Sequence, residues 1–86
     1  MQTFFISVSC ERGQTYTVGR EILKAVPGVR EVSAISGKWD LLVKLVIEEG
    51  FDVGQLVNEK LAAVPGIRRT KTQVAYFVYN PDDVFF

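Results

Sequence analysis

Histidine is absent from the 86-residue chain, and cysteine, methionine and tryptophan occur once each. Without an imidazole, haem ligation, the usual zinc sites and the serine-type triad all lack a standard part. No clustered carboxylate pair stands out to replace them, so no metal or cofactor is expected. The single Cys10 cannot close an internal disulfide. In a β-branched, apolar segment it reads as a small core hydrophobe. A reactive thiol is the other reading, with no histidine to serve as its base. A reducing, cytoplasmic setting fits this cysteine usage. An excess of charge of one sign is also missing, since 10 basic residues balance 10 acidic ones. Nucleic-acid binders usually carry a basic excess or patch, so direct DNA or RNA contact is disfavoured. No apolar run approaches the ~20 residues that span a bilayer. The N-terminus lacks a charged, then apolar, leader pattern. A soluble protein without membrane contact is expected.

What is present is an ordinary globular composition, 48% hydrophobic and 23% charged, enough for one domain over residues 1–86. Residues 3–10 (TFFISVSC) alternate with period two and predict a strand. A turn at 11–14 leads to a helix over 14–26, whose apolar stripe is Tyr16, Gly19, Ile22, Leu23 and Val26. Gly19 in mid-helix costs about 1 kcal/mol relative to alanine, which a close approach to the sheet would explain. Pro27-Gly28 ends the helix. Strands follow at 29–36 and 40–47, joined tightly at Gly37-Lys38. The second of these is apolar on both parities, the pattern of a strand buried on both sides and central in its sheet. Asp52 is placed to cap a second helix over 53–64, with Val53, Leu56, Val57, Leu61 and Val64 as its stripe. A last strand spans 67–79, and residues 80–86 (NPDDVFF) form a tail.

The segment AVPGVR at 25–30 recurs as AVPGIR at 63–68, each time where a helix ends and a strand begins. Two βαβ halves in tandem predict an α+β, ferredoxin-like βαββαβ sandwich, a four-stranded antiparallel sheet with both helices on one face. The other face is then open. Phe4 and Phe5, Leu41 and Leu42, and Tyr76 and Phe77 make both parities apolar. A patch of several hundred Å² is rarely left bare on a monomer. A two-fold dimer through the sheet is expected. The alternative, not exclusive, is that Val84, Phe85 and Phe86 of the tail fold over that face.

Three segments in this order resemble one family. Residues 36–44 (SGKWDLLVK) are similar to the Gly-[Tyr/Trp]-Asp-Leu segment of the effector-binding domain in the Lrp/AsnC transcription regulators. Residues 22–32 (ILKAVPGVREV) and 61–72 (LAAVPGIRRTKT) resemble that family's two Pro-Gly segments. The resemblance covers about residues 3–79. It implies a RAM (regulation of amino acid metabolism) domain that dimerises through its sheet and assembles into rings of dimers. It implies small effectors such as amino acids bound between dimers, held by the loop between the second and third strands with help from polar residues on the last. Family members also carry an N-terminal helix-turn-helix domain. This chain starts almost at the first strand of the effector-binding domain, so it resembles the stand-alone members or an excised domain. A full-length regulator of the family is an implied partner.

The implied ligand-binding residues are Gly37, Trp39, Asp40, Leu41, Thr70 and Thr72, and each has a structural alternative. Gly37 either supplies a turn conformation with φ > 0 or lets a ligand approach backbone amides. Asp40 either caps the turn or accepts from a ligand ammonium. Trp39 fills an intersubunit contact or walls a pocket, as the aromatic at this place, mostly tyrosine, does in the family it resembles. Leu41 completes the motif. Thr70 and Thr72, two apart on one strand face, are ordinary β-formers or hydroxyl partners of a polar ligand. Arg68, Arg69 and Lys71 read as a solvated edge or an anion site. Three function classes remain: an effector-binding oligomer, an assembly module with no effector, and a small ferredoxin-like enzyme. An ACT-type amino-acid-binding domain shares the plan but fits the motifs less well.

Overall fold

A computed structural model describes residues 1–82. Its order is β1 (Gln2–Cys10), α1 (Thr15–Ala25), β2 (Val29–Ala34), β3 (Leu41–Ile47), α2 (Val53–Leu56), continued by a π-helical turn (Val57–Leu61), and β4 (Ile67–Ala75). The strands form one four-stranded sheet in the order β2-β3-β1-β4, with every neighbour antiparallel. This is the ferredoxin-like α+β architecture expected from the repeat.

Alternation along the central strands decides where the core lies. Phe4, Ile6, Val8 and Cys10 of β1 and Leu41, Val43, Leu45 and Ile47 of β3 all point to one face and are buried. Val18 and Ile22 from α1, Leu56 and Leu61 from α2 and its continuation, and Val26 and Val64 just past the two helix ends close over them. Each such aliphatic side chain contributes about 1.5–3 kcal/mol by leaving water.

The repeated Pro-Gly segments do the same work twice. Gly28 and Gly66 have φ of +88° and +94°, and each carbonyl accepts a backbone N–H from a residue in or just past a central strand. Val46 donates to Gly28 at 2.9 Å, and Glu11 donates to Gly66 at 2.7 Å. The left-handed glycine thus reverses the chain from helix into strand and ties the corner to the sheet.

Several boundaries and faces differ from the sequence-based expectations. In α1 the buried residues are Val18 and Ile22, with Val26 just past the helix end also buried, whereas Tyr16 and Leu23 are 73% and 54% exposed. One strip of sheet can take only part of a wide apolar stripe, and the helix is rotated so that Val18 and Ile22 face inward. The second helix is α-helical only over its first turn. A five-residue hydrogen bond from the Ala62 N–H to the Val57 carbonyl (2.8 Å) marks the π turn. That wider turn lets Leu56 and Leu61, five apart, both reach the core. Asp52 does cap the helix, accepting from the Gln55 N–H at 2.9 Å.

The second strand ends at Ala34 rather than 36, and the third begins at Leu41 rather than 40. The tight Gly37-Lys38 connection is thus a longer loop, closed by the Ile35 N–H donating to the Asp40 carbonyl at 3.0 Å. The last strand ends at Ala75, not 79. As an edge strand it has β1 as its single neighbour, and the pairing runs out at Thr3 opposite Ala75. Tyr76 and Phe77 therefore lie beyond the sheet, 95% and 64% exposed.

β3 is central, but only one of its faces is buried in a single chain; Leu42, Lys44 and Val46 on the other are half-buried. That open face is also less apolar than expected. Phe5, Leu42 and Val46 share it with Ser7, Ser9, Lys44, Arg69, Lys71 and Gln73, as the cross-strand register requires. Val84, Phe85 and Phe86 lie outside the described residues.

Gly19 does approach the sheet, but with room to spare. A Cβ added there would sit 3.7 Å from Leu41 and from Val32, ordinary van der Waals contact. Gly19→Ala is therefore expected to stabilise the domain by up to about 1 kcal/mol, through helix propensity and a less free unfolded chain. Urea unfolding at matched protein concentration measures this.

Candidate functional site

The six candidate residues fall into two places. Just before β3, the Asp40 N–H donates to the Val8 carbonyl at 2.9 Å, and its carboxylate Oδ2 accepts from the Cys10 N–H at 2.8 Å. The β1–β4 register shifts at Ser9/Cys10. There the Asp40 side chain extends the β1–β3 pairing by one hydrogen bond. Gly37 stands exposed at the loop, with φ +103° and open space where a Cβ would be. Its backbone conformation, not crowding, calls for glycine. Trp39 is half-buried, and the Arg69 guanidinium carbon lies 5.4 Å from the centroid of its ring. That is cation–π distance. Leu41 is 2% exposed, so its side chain belongs to the core.

Thr70 and Thr72 sit elsewhere. They pair with Val8 and Ile6, so they share the helix-facing side of the sheet. α2 does not reach over this edge strand, and a groove of about 690 Å³ opens between them. Phe4 and Val74 form part of its sheet side, and Val53, Gly54, Val57 and Asn58 its helix side. Thr70 and Leu41 lie on opposite sides of Val8, two strand spacings or roughly 10 Å apart. One chain therefore does not bring the loop residues and the threonines into a single pocket.

The helix-side residues of the groove had no separate signal in the sequence. Asn58 falls on the polar side of an ideal helix, and only the π turn with the uncovered edge strand places it there. The Arg69–Trp39 contact was equally hidden, because it depends on β4 lying next to β1. No group of three metal-ligating side chains occurs among the described residues. No helix among them is long and apolar enough to cross a membrane.

Cys10 is buried, and its thiol is pushed above the ordinary range, chiefly by desolvation and then by the charge of Asp40, against a hydrogen bond with Thr15. Above the unfolded-state pKa the unfolded chain loses a proton that the folded chain keeps, so stability falls as pH rises through that region. Cys10→Ala is expected to flatten this alkaline loss. Unfolding curves from pH 7 to 10, wild type against variant, measure it, and parallel curves would disprove it.

The fold is that of a small ferredoxin-like domain, with both helices on one side and an open sheet on the other. A family model described as the Lrp/AsnC ligand binding domain matches residues 3–84. The chain belongs to this family of transcription regulators. It is 35% identical over 66 residues to an uncharacterised HTH-type transcriptional regulator of Pyrococcus furiosus, covering 77% of this chain and 44% of that protein. It is 38% identical over 69 residues to a homocitrate synthase of Sulfurisphaera tokodaii, covering 80% of this chain and 15% of the enzyme. The chain thus spans less than half the length of these relatives. Among solved structures, a hypothetical protein of Pyrococcus horikoshii superposes with a TM-score of 0.79 at 30% identity, covering 92% of this chain and 94% of that one.

Proposed function

We propose that the chain is an effector-binding and assembly module of Lrp/AsnC type, without DNA-reading or catalytic activity of its own. Two copies pair through their open sheet faces, and dimers join into a larger, ring-like assembly. An amino acid or related metabolite binds between dimers, where Gly37, Trp39, Asp40 and the Leu41 backbone of one copy meet Thr70 and Thr72 of another. The observation that carries this is the division of the candidate residues. They lie at two separate places on one chain, so a second copy is needed to complete a site. The relatives support a portable sensor, because similar domains occur within an HTH-type regulator and within a biosynthetic enzyme. A full-length regulator of the same family is then a natural partner. A ligand acts in such a system by favouring one assembly over another.

A second reading, assembly with no effector, draws on the Asp40 carboxylate already serving the Cys10 amide. Titration with each amino acid, following Trp39 fluorescence and the thermal midpoint, separates the two. Ligand at 100 times its dissociation constant adds about 2.7 kcal/mol of stability. In Asp40→Asn the amide oxygen still accepts from Cys10, but the charge is gone. A saturable response weakened about tenfold or more in this variant, at unchanged oligomer mass, supports the sensor. No response from intact oligomers leaves the assembly-only reading.

A further inference from the structure

We infer that the cleft between α1 and the edge strand β2 is a second ligand site, for a small carboxylate with a short branched aliphatic chain. The site is independent of the loop before β3 and of β4. In the internal repeat Ala25 recurs as Ala63, a shift of 38 residues, and the same shift relates two clefts. It carries Thr15, Tyr16, Gly19 and Arg20 of α1 onto Val53, Gly54, Val57 and Asn58, and Val32 and Ala34 of β2 onto Thr70 and Thr72. All of these residues line their own cleft. Each half of the chain therefore opens a cleft between its helix and its edge strand. The chemistry of the two differs. The strand side beside α1 is aliphatic where the other has hydroxyls, and Arg20 stands where the other has an amide.

Gly19 is the residue that points to use. It lies in mid-helix, its φ is not positive, and a Cβ there would meet nothing nearer than 3.7 Å. Neither backbone conformation nor crowding calls for glycine, although glycine weakens a helix interior. Residues that break a local rule with no structural return cluster at functional positions. The missing side chain keeps space open over Val32 and the buried Leu41. The cleft measures about 260 Å³, just under the usual span of ligand sites, roughly 300–1,000 Å³, which suits a short chain. Arg20 supplies the charge. It is exposed, it forms no ion pair among the described residues, and no carboxylate lines the cleft. A guanidinium fork binds a carboxylate through two parallel hydrogen bonds. The acid gains that contact at the rim while its chain leaves water against Leu23, Val32 and Ala34. An alcohol of the same shape gains only the second part, and an amine is repelled.

The test is methyl NMR of the full chain with 4-methylpentanoate, and with 4-methylpentan-1-ol and 4-methylpentan-1-amine as neutral and cationic analogues. The acid is expected to move the Leu23, Val32, Ala34 and Leu41 methyl signals saturably, and to bind about tenfold or more tightly than either analogue. Gly19→Ala is expected to weaken the acid about fivefold while the unfolding midpoint holds or rises, so that lost binding is not lost folding. Arg20→Gln, at an exposed position, is expected to erase the preference for the acid over the alcohol. Absence of saturable shifts at the four methyl-bearing residues, equal binding of the analogues, undiminished binding to Gly19→Ala, or a preference that survives Arg20→Gln each overturns the inference. So do shifts confined to Thr70, Thr72 and Val57, which place the acid in the other cleft. A second copy seated beside α1, seen as shifts that follow protein concentration and block the acid, overturns it as well.

Discussion

Leu61→Ala is expected to lower the unfolding free energy by about 3–5 kcal/mol, the upper part of the range for a buried leucine cut back to Cβ. Leu61 is fully buried, at 0% exposure. It lies in the π turn, with Leu56 five residues before it and α1 across the core. The cavity left behind cannot collapse easily, because the Ala62 N–H is held to Val57 and the Val64 N–H to Leu61 itself at 3.1 Å. The small gain in helix propensity from alanine does not offset a loss of this size. Small domains have total stabilities of about 5–15 kcal/mol, so the variant should be largely unfolded at temperatures the parent tolerates. Urea unfolding and the thermal midpoint measure this, at equal protein concentration because association adds to apparent stability. A loss under about 1 kcal/mol would mean that the π turn repacks.

Gly28→Ala is expected to cost about 3 kcal/mol, and here two effects add. A residue with a Cβ pays about 1–2 kcal/mol to hold the left-handed conformation, and Gly28 has φ +88°. The new methyl would also sit 2.8 Å from Ile47 Cγ2 and 3.0 Å from the Val46 carbonyl oxygen. Gly28 and Val46 cannot simply move apart, because the Val46 N–H is bound to the Gly28 carbonyl at 2.9 Å. Overpacking of this kind costs about 1–3 kcal/mol. Gly50→Ala is the control, with φ +85° and nothing within 4 Å of its Cβ position. It should show the conformational cost alone, so the difference between the two variants measures the clash. Gly66→Ala should behave like Gly28→Ala, since its Cβ would lie 2.8 Å from Val18. Equal losses at 28 and 50 would remove the packing explanation of the repeated Pro-Gly segment.

Much of this fold is legible in the residues because the signals are local. Period-two alternation places β1, the first Pro-Gly pair places the end of α1, Asp52 marks a helix start, and the repeat orders the elements; the second helix, expected to run to 64, ends at Leu61. The misplaced features are those set by neighbours distant in the chain. The end of β4 depends on where β1 runs out. The exposed Tyr16 and Leu23 depend on how α1 is rotated over the sheet. The loop ahead of β3 follows from Asp40 bonding into β1.

The candidate site divides along the same line. Gly37, Trp39, Asp40 and Leu41 are adjacent in the chain, and a short motif is enough to suggest them. Their physical roles are not in the motif: the Asp40 carboxylate serves the Cys10 amide, and Leu41 fills the core. Thr70 and Thr72 are recognisable as a same-face pair on a strand, yet not as one wall of a groove. By itself the sequence suggested the family, through the resemblance of three short segments in order, and determined the order of elements and the side-chain alternation, because these last follow from backbone sterics and hydrophobic periodicity over a few residues. The tertiary structure alone decided that the threonines face Asn58 while the loop lies on the far side of Val8. Strand order and helix position arise from packing of the whole core, and no local pattern encodes them.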